Sequence, residues 1–435
     1  MYKKLIFIFI FCILTSSYGQ EVKVFTLREA ISEAFRNNTD LINARYDKLI
    51  ADYKVTQTYN ESLLPSLNVS SIYSRAFKKQ VFDIFGQKIE IGSDNTINTT
   101  FELSQPIPVL GTPIFQGINI AKYYSRLSSE NVNAIETKVA TEVKKSFLSV
   151  LFLKEVVEVN KKSLQNAQDN LNVVEIRYRN GTVTEFDYLR AKVKVESIKP
   201  ELSKAENNLT LSKKSLKNTI GLKTDEEIDV VGSLIYDSAE FIMSIDEIID
   251  KMIDNNVSLR LLRINRQINE ELLSIDEANY LPKFYLFGQY SIYAAENDKR
   301  NFFKYRYYNV INAGIGMAWN FNLFSNPYKK SQSILEIKKT DEQINDIREK
   351  LKIQAQSIIL RIEDAKKRIK AQNETVKLAE RGYELAKISF NNGVINQIDV
   401  LDAELILTQS KLAYLQAVYE FLIAKAELEG LLEIK

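Results

Sequence analysis

Carboxylates are where chemistry could reside in this chain, because the other common reactive side chains are nearly absent. There is no histidine in 435 residues, and the single cysteine is Cys12. Such a chain lacks the usual soft metal ligands and the commonest general base. What remains is acid. Asp399 and Asp402 follow Gly393 and stand three positions apart, on one face of a helix. Asp187 follows Gly181 in a similar run, NGTVTEFDYL against NGVINQIDVL. A pair of this kind either draws cations to a surface or complements the partial positive charge of a helix start. Carboxylate catalysis would need an acid pair in a pocket-forming context, and none is legible, so the chain does not read as an enzyme. No cofactor and no metal are expected. Lysines and arginines number 58 against 56 aspartates and glutamates, a net +2 that gives no sign of a nucleic-acid partner.

The acids are positioned by helices on either side of a glycine turn. Before Gly393, apolar or small residues recur at Ala355, Ile358, Ile362, Ala365 and Ile369, then from Val376 through Tyr383 to Phe390. After it, the same 3–4 alternation runs through Ile398, Leu401, Leu405, Thr408, Leu412, Leu415, Tyr419, Leu422 and Ala426. Heptad seams flanking a glycine predict an antiparallel coiled-coil hairpin. The glycine supplies the positive φ that ends the first helix. Asn180–Gly181–Thr182 predicts an earlier hairpin, entered by Val157, Leu164, Ala167, Leu171 and Val174 and left by Val195, Ile198, Leu202, Ala205 and Leu209. Pro200 inside the return helix is expected to kink it.

The rest of the chain frames and repeats this hairpin. Residues 1–19 read as a secretory signal, with Lys3 and Lys4, an apolar run Leu5–Leu14 that contains Cys12, and a Ser17-Tyr18-Gly19 cleavage site. No later run is long and apolar enough for a spanning helix, so any membrane span must be β. Thr26 and Glu29 form a capping-box signal for a helix reaching about Ser62. Alternation predicts strands over 66–75, about 97–103, 284–293 and 311–321. The stretches 76–96 and 294–308 read as loops. A proline-free helical pattern of roughly 65 residues, about 100 Å at 1.5 Å per residue, precedes each glycine turn. Gly181 recurs as Gly393, Leu64-Pro65 as Leu281-Pro282, and Asn37-Asn38 as Asn255-Asn256. A repeat of roughly 215 residues is a duplication and not a solenoid. It divides the chain into a first repeat (20–221), a linker (222–244) and a second repeat (245–435).

Four strands with one apolar face have no second sheet to pack on, and a membrane barrel explains them. Four cannot close a barrel, whose smallest size is about eight, so several chains must share one. The alternative is a secreted coiled-coil structural or adhesive protein with no pore. The strand faces discriminate. A pore leaves Ile97, Phe101, Leu103, Ile311, Ile315 and Trp319 to lipid, whereas a soluble scaffold buries them under helices.

The run F-x-x-G-x-x-x-x-x-D-V-L-D-A at Phe390 to Ala403, with the duplication and the element order, resembles the TolC family of outer-membrane efflux and secretion channels. The resemblance covers nearly the whole chain after the leader. It implies a mainly α fold with a transmembrane β part: coiled-coil hairpins forming a trimeric α-barrel tunnel, topped by a shared twelve-stranded β-barrel with four strands per protomer. It further implies a homotrimer in outer-membrane lipid whose tunnel crosses the periplasm to an adaptor protein and an inner-membrane transporter. The cargo would be small molecules such as drugs or metals, or alternatively a protein in type I secretion. By the same resemblance, Asn180, Gly181, Thr182, Asn392, Gly393 and Val394 are tips that dock the adaptor. Asp399 and Asp402 would form an acidic ring at the constriction. Asp187 and Phe390 match gate positions, but Phe390 lacks the family's hydroxyl and Ile395 replaces its basic gating residue. The resting lock is therefore expected to be absent or differently built. The family's mid-tunnel girdle is expected to be reduced to the 222–244 linker.

Overall fold

The computed structural model describes residues 22–108, 113–223, 226–237, 245–298, 300–319, 322 and 324–433. The signal segment with Cys12, much of the linker, and Phe321 at the end of the last expected strand lie outside them. In chain order the elements are β1 (Lys23–Phe25), α1 (Leu27–Asn37), α2 (Thr39–Leu63), β2 (Ser66–Arg75), β3 (Gln80–Ile84), β4 (Gln87–Ile91), β5 (Asn95–Pro106), α3 (Ile114–Arg179) and α4 (Glu185–Ile220). The second half gives β6 (Ile228–Val230), α5 (Ile245–Asn255), α6 (Val257–Ala278), β7 (Lys283–Glu296), β8 (Tyr307–Ala318), α7 (Asn326–Asn391) and α8 (Gln397–Leu431). The chain forms two compact units. One holds the residues up to Ile42, Glu136–Ile249 and Gln354 onward; the other holds Asn43–Ile135 and Asp250–Ile353.

The first unit is helical. Its α7 seam is the expected one, with Ala355, Ile358, Ile362, Ala365 and Ile369 all buried. Along α8 the expected phase is wrong by one position. The buried stripe is Val400, Glu404, Leu407, Ser410, Ala417, Phe421, Ala424 and Leu428, while Leu405 is exposed and Leu412 only half-buried; at the end of the helix Ala426 is buried as expected. Leucines occupy both stripes, and the buried one carries two polar residues that find partners, so hydropathy favoured the wrong stripe. Around the helices, Lys145 and Arg361 both reach Glu427 (2.7 and 2.5 Å), and Phe152 stacks on Tyr419 at 4.7 Å. The parallel pair β1–β6 lies on the same unit, where Lys154 and Lys213 both hold Asp229. Pro200 sits within α4, which continues past it from Glu185 to Ile220.

The helix expected from Thr26 to Ser62 is two helices. Thr26 and Glu29 make the reciprocal capping box, but Asn38 breaks the run. Its extended backbone ends α1, and its side-chain oxygen accepts from the amides of Asp40 and Leu41 to start α2. Asparagine competes well with helix continuation by this local bonding.

The second unit is built on an antiparallel sheet of order β2–β5–β7–β8. Its register gathers most of the apolar residues on one face: Val69 pairs with Phe101, Phe101 with Tyr290, and Tyr290 with Ile311. The other face aligns Ser70, Thr100, Ser291 and Val310, then Asn68, Glu102, Gln289 and Asn312. Ile311 and Ile315 are 77% and 71% exposed, with no helix over them. Phe101, Leu103 and Trp319 are exposed as well, but Ile97 is buried. It lies opposite Tyr73 and Ala294 at the end of the sheet where Asp298 is held by Arg75 and Asn95. Residues 76–96, expected as loop, contain the separate hairpin β3–β4.

Candidate functional site

The two glycine turns are built identically. The amide of Thr182 donates to the carbonyl of Arg177 and that of Gly181 to Tyr178, each at 2.9 Å; Val394 donates to Ser389 and Gly393 to Phe390 at 2.9 and 3.0 Å. This double bond pattern ends a helix on a left-handed residue. Gly181 and Gly393 meet that need with φ of 70° and 74°, and a Cβ at either would touch nothing within 4 Å. Their requirement is conformational and not steric.

Each following helix carries an aspartate as its third residue. The carboxylate of Asp187 accepts from the hydroxyl and amide of Thr184 at 2.7 and 3.3 Å, and the Asp187 amide returns a bond to the hydroxyl. Asp399 accepts from the amide of Asn396 at 3.0 Å. Thr184 and Asn396 are thus the N-caps, and Asp187 and Asp399, three residues on, close the capping boxes by accepting from the cap amides. Asp402, one turn further, is exposed and has no partner among the described residues.

Behind the turns, Val174, Ala191, Phe390 and Val400 form one buried cluster drawn from all four helices. Arg177 closes it. Its guanidinium donates to the carbonyls of Phe390 and Asn391 at 2.9 and 2.8 Å, and lies 4.4 Å from the centre of the Phe390 ring. A cation on the last carbonyls of α7 complements that helix end and stacks on the ring at once. The two hairpins are therefore joined through Phe390, but by its backbone and ring face, for which no hydroxyl is needed. A single arginine in a polar run offered no sequence signal for this, since its target is a backbone.

About one turn beyond Val400 on α8 is a buried polar node. Glu404 is 3% exposed and accepts from Ser163 and from Thr408 (3.2 Å) on one oxygen. Lys194 stands 3.0 Å from the other, an ion-pair contact without hydrogen-bond alignment. A cavity of about 430 Å³ is lined by Lys194 and Thr408 beside this node. Nearby Tyr383 is pushed up to about 12, by burial first and then by the charges of Glu404 and Asp169. Among the described residues no group of three or more acids is placed to hold a metal ion.

Comparison with known proteins now bears on this arrangement. The family model described as outer membrane efflux protein matches residues 30–222 and 248–432, most of both repeats. The chain belongs to the outer membrane efflux protein family. Its compartment is the outer membrane, and its fold class is mainly α with a transmembrane β part. The chain is 23% identical over 341 residues to the cobalt-zinc-cadmium resistance protein CzcC of Cupriavidus metallidurans, covering 75% of each. It is 23% identical over 211 residues to outer membrane protein TolC of Escherichia coli, a match spanning 46% of this chain and 41% of TolC. Among solved structures, VceC of Vibrio cholerae superposes with a TM-score of 0.77 at 15% identity, covering 94% of this chain and 96% of that one. The open-state MtrE channel of Neisseria gonorrhoeae gives 0.69 at 16% identity, covering 94% and 88%.

Within this efflux-family chain, the residues that sequence singled out all lie at one end of the helical unit. The turns bring Asp187, Asp399 and Phe390 to the same neighbourhood as the tip residues. Arg177, Lys194 and Glu404 join the two hairpins there, and sequence reasoning named none of them.

Proposed function

We propose that this protein is the passive exit duct of a tripartite efflux system, a homotrimer that shares one barrel and meets a periplasmic adaptor and an inner-membrane transporter. The carrying observation is the four-stranded sheet. Its apolar face is open, its opposite face is mostly polar, and β2 and β8 end it with backbone edges unpaired among the described residues. Four strands are too few to close, and an open edge inside a membrane leaves backbone groups unsatisfied. Three copies supply twelve strands in strict antiparallel alternation. The helical unit supports the same reading from its own surface: Leu378, Leu385 and Val193 remain exposed where a neighbouring copy would cover them.

In this reading Asn180, Gly181, Thr182, Asn392, Gly393 and Val394 form the adaptor-facing tips. Asp402, exposed and unpartnered, carries the acidic ring, with Asp399 contributing while it closes the capping box of α8. Such a ring favours cations. The match to a protein named for cobalt, zinc and cadmium resistance supports metal cations as one cargo class beside organic toxicants. The test is single-channel conductance of the purified protein in planar bilayers, with and without Asp399→Ala and Asp402→Ala. Cation-selective openings that lose selectivity in the double variant support duct and ring together. A pore indifferent to both removes the ring, and a protein that never enters the bilayer overturns the duct.

A further inference from the structure

The hairpin β3–β4 is a two-stranded ribbon separate from the main sheet, and its register gives it two unlike faces. Phe82 pairs with Ile89 and Gln80 with Ile91 on one face; Val81 pairs with Glu90 and Asp83 with Lys88 on the other. The first is apolar and open, with Phe82, Ile89 and Ile91 at 47%, 43% and 51% exposure. An isolated hairpin is at best marginally stable in water, and one that displays such a face is a liability unless something covers it. The turn is odd too. Phe85 and Gly86 take φ of 56° and 81°, as a two-residue turn of this kind requires. A phenylalanine in the left-handed region costs about 1–2 kcal/mol relative to a favoured residue, and Phe85 is wholly exposed. Strain kept at an exposed aromatic points to a binding role.

The place of the ribbon in the sheet selects its partner. It grows from Arg75, the end of edge strand β2. Strand pairing sets Arg75 opposite Asn95, Asn95 opposite Glu296, and Ala294 opposite Tyr307, so the root of the ribbon and the start of β8 lie at the same end of the sheet. In a barrel shared between copies, β8 of one copy runs beside β2 of the next. The segment Phe302–Tyr308 of one copy then stands beside the ribbon of its neighbour. That segment exposes Phe302, Phe303, Tyr307 and Tyr308. It also carries Lys304 and Arg306, whose side chains have no partner among the described residues. The first residues of the same connection are tied to the root of their own ribbon: Asn297 accepts from Lys79 and from the amide of Asp94, and Asp298 from Arg75.

We propose that the apolar face of β3–β4 docks on Phe302–Tyr308 of the adjacent copy, forming a collar outside the membrane that clasps the trimer. This rests on the shared-barrel reading, and its test separates the two. In full-length protein carrying Cys12→Ala, Ile89→Cys and Phe303→Cys are placed on the same chain, or singly on two differently tagged chains that are co-expressed. Size-exclusion chromatography with light scattering reads assembly, and a non-reducing gel reads linkage after mild oxidation. The expected result is a trimeric particle whose bulk converts to cross-linked multimers in the double variant. Disulfide-linked heterodimers are expected from the mixed singles, and little linkage from either single variant alone. A trimer with no linkage, with only intrachain linkage, or with linkage of Ile89→Cys to itself overturns the collar while sparing the barrel. So does a trimer in which a fluorophore at Ile89→Cys is quenched by brominated lipid, since the face would then lie in the membrane. A monomeric particle overturns the shared barrel and the collar with it.

Discussion

Arg177 offers the sharpest separation of roles at the level of a single residue. Its two charge-assisted bonds to the end of α7 and its stacking on Phe390 hold one hairpin to the other. Hydrogen bonds to charged groups are each worth about 1.5–3 kcal/mol, so Arg177→Ala is expected to loosen the second turn. Amide hydrogen exchange at Gly393 and Val394 should rise about tenfold or more, each tenfold being about 1.4 kcal/mol of local opening. Arg177→Lys restores charge but not the paired geometry and should recover only part of the protection. Unchanged exchange in Arg177→Ala would show that the apolar cluster alone holds the tip. The turn glycines make a different demand. Gly393→Ala meets no neighbour and should cost only the left-handed strain, about 1–2 kcal/mol, with Gly393→Asn milder, both read by thermal denaturation.

At the scale of the element, the node around Glu404 sets how α3, α4 and α8 are registered. Glu404→Ala leaves the Ser163 and Thr408 hydroxyls without their acceptor and should destabilise by about 1–3 kcal/mol, less than a fully buried pair would cost because Lys194 is partly exposed. The paired change Glu404→Leu with Lys194→Met removes both charges and should recover part of that loss in a denaturant titration. A double variant as unstable as the single one would mean that the hydroxyl partners, and not the ion pair, carry the node. Acid acts on the same unit through other carboxylates. Glu420 is held below the ordinary range by bonds from Gln416 and Arg368; Glu427 is held there by Lys145 and Arg361 against the opposing effect of its burial. A lowered folded pKa contributes stability above the unfolded value and loses it as pH falls through the folded one. Melting temperature should therefore drop as pH is lowered through and below 4.5, and Glu427→Gln should flatten that slope.

These elements also show what the sequence could and could not convey. The two long helices, both glycine turns and the four strands of the main sheet were legible, because periodicity and glycine placement are local signals. The seam of α8 was misplaced because its partners decide which of two leucine stripes is buried. The Asn38 break was hidden within a continuous helical pattern. The strands of β3–β4 alternate, but their charged residues and two glycines disguised them as loop. Arg177 was missed because a side chain that binds backbone leaves no residue-pair pattern.

The barrel strands make their prediction at the scale of the whole molecule, because the two faces of one strand must meet different solvents. Ile311 and Asn312 are neighbours in β8, and register sets Ile311 beside Tyr290 and Asn312 beside Gln289. In the shared-barrel reading the first meets lipid and the second meets the water of the duct. A lysine facing the bilayer midplane costs about 2–4 kcal/mol, while one in a lumen is tolerated. Ile311→Lys should therefore reduce the folded protein recovered in outer-membrane fractions and lower the heat stability of the assembled species. Asn312→Lys should assemble normally and change the channel instead, since a ring of added cations in the lumen shifts selectivity toward anions. The pair is informative because propensity, chain position and added charge are nearly the same in both. Equal loss in the two variants would mean that both faces are buried in protein, which is the behaviour of a soluble scaffold. Equal tolerance would place neither face in lipid. Only the asymmetric result fits a wall that divides membrane from water.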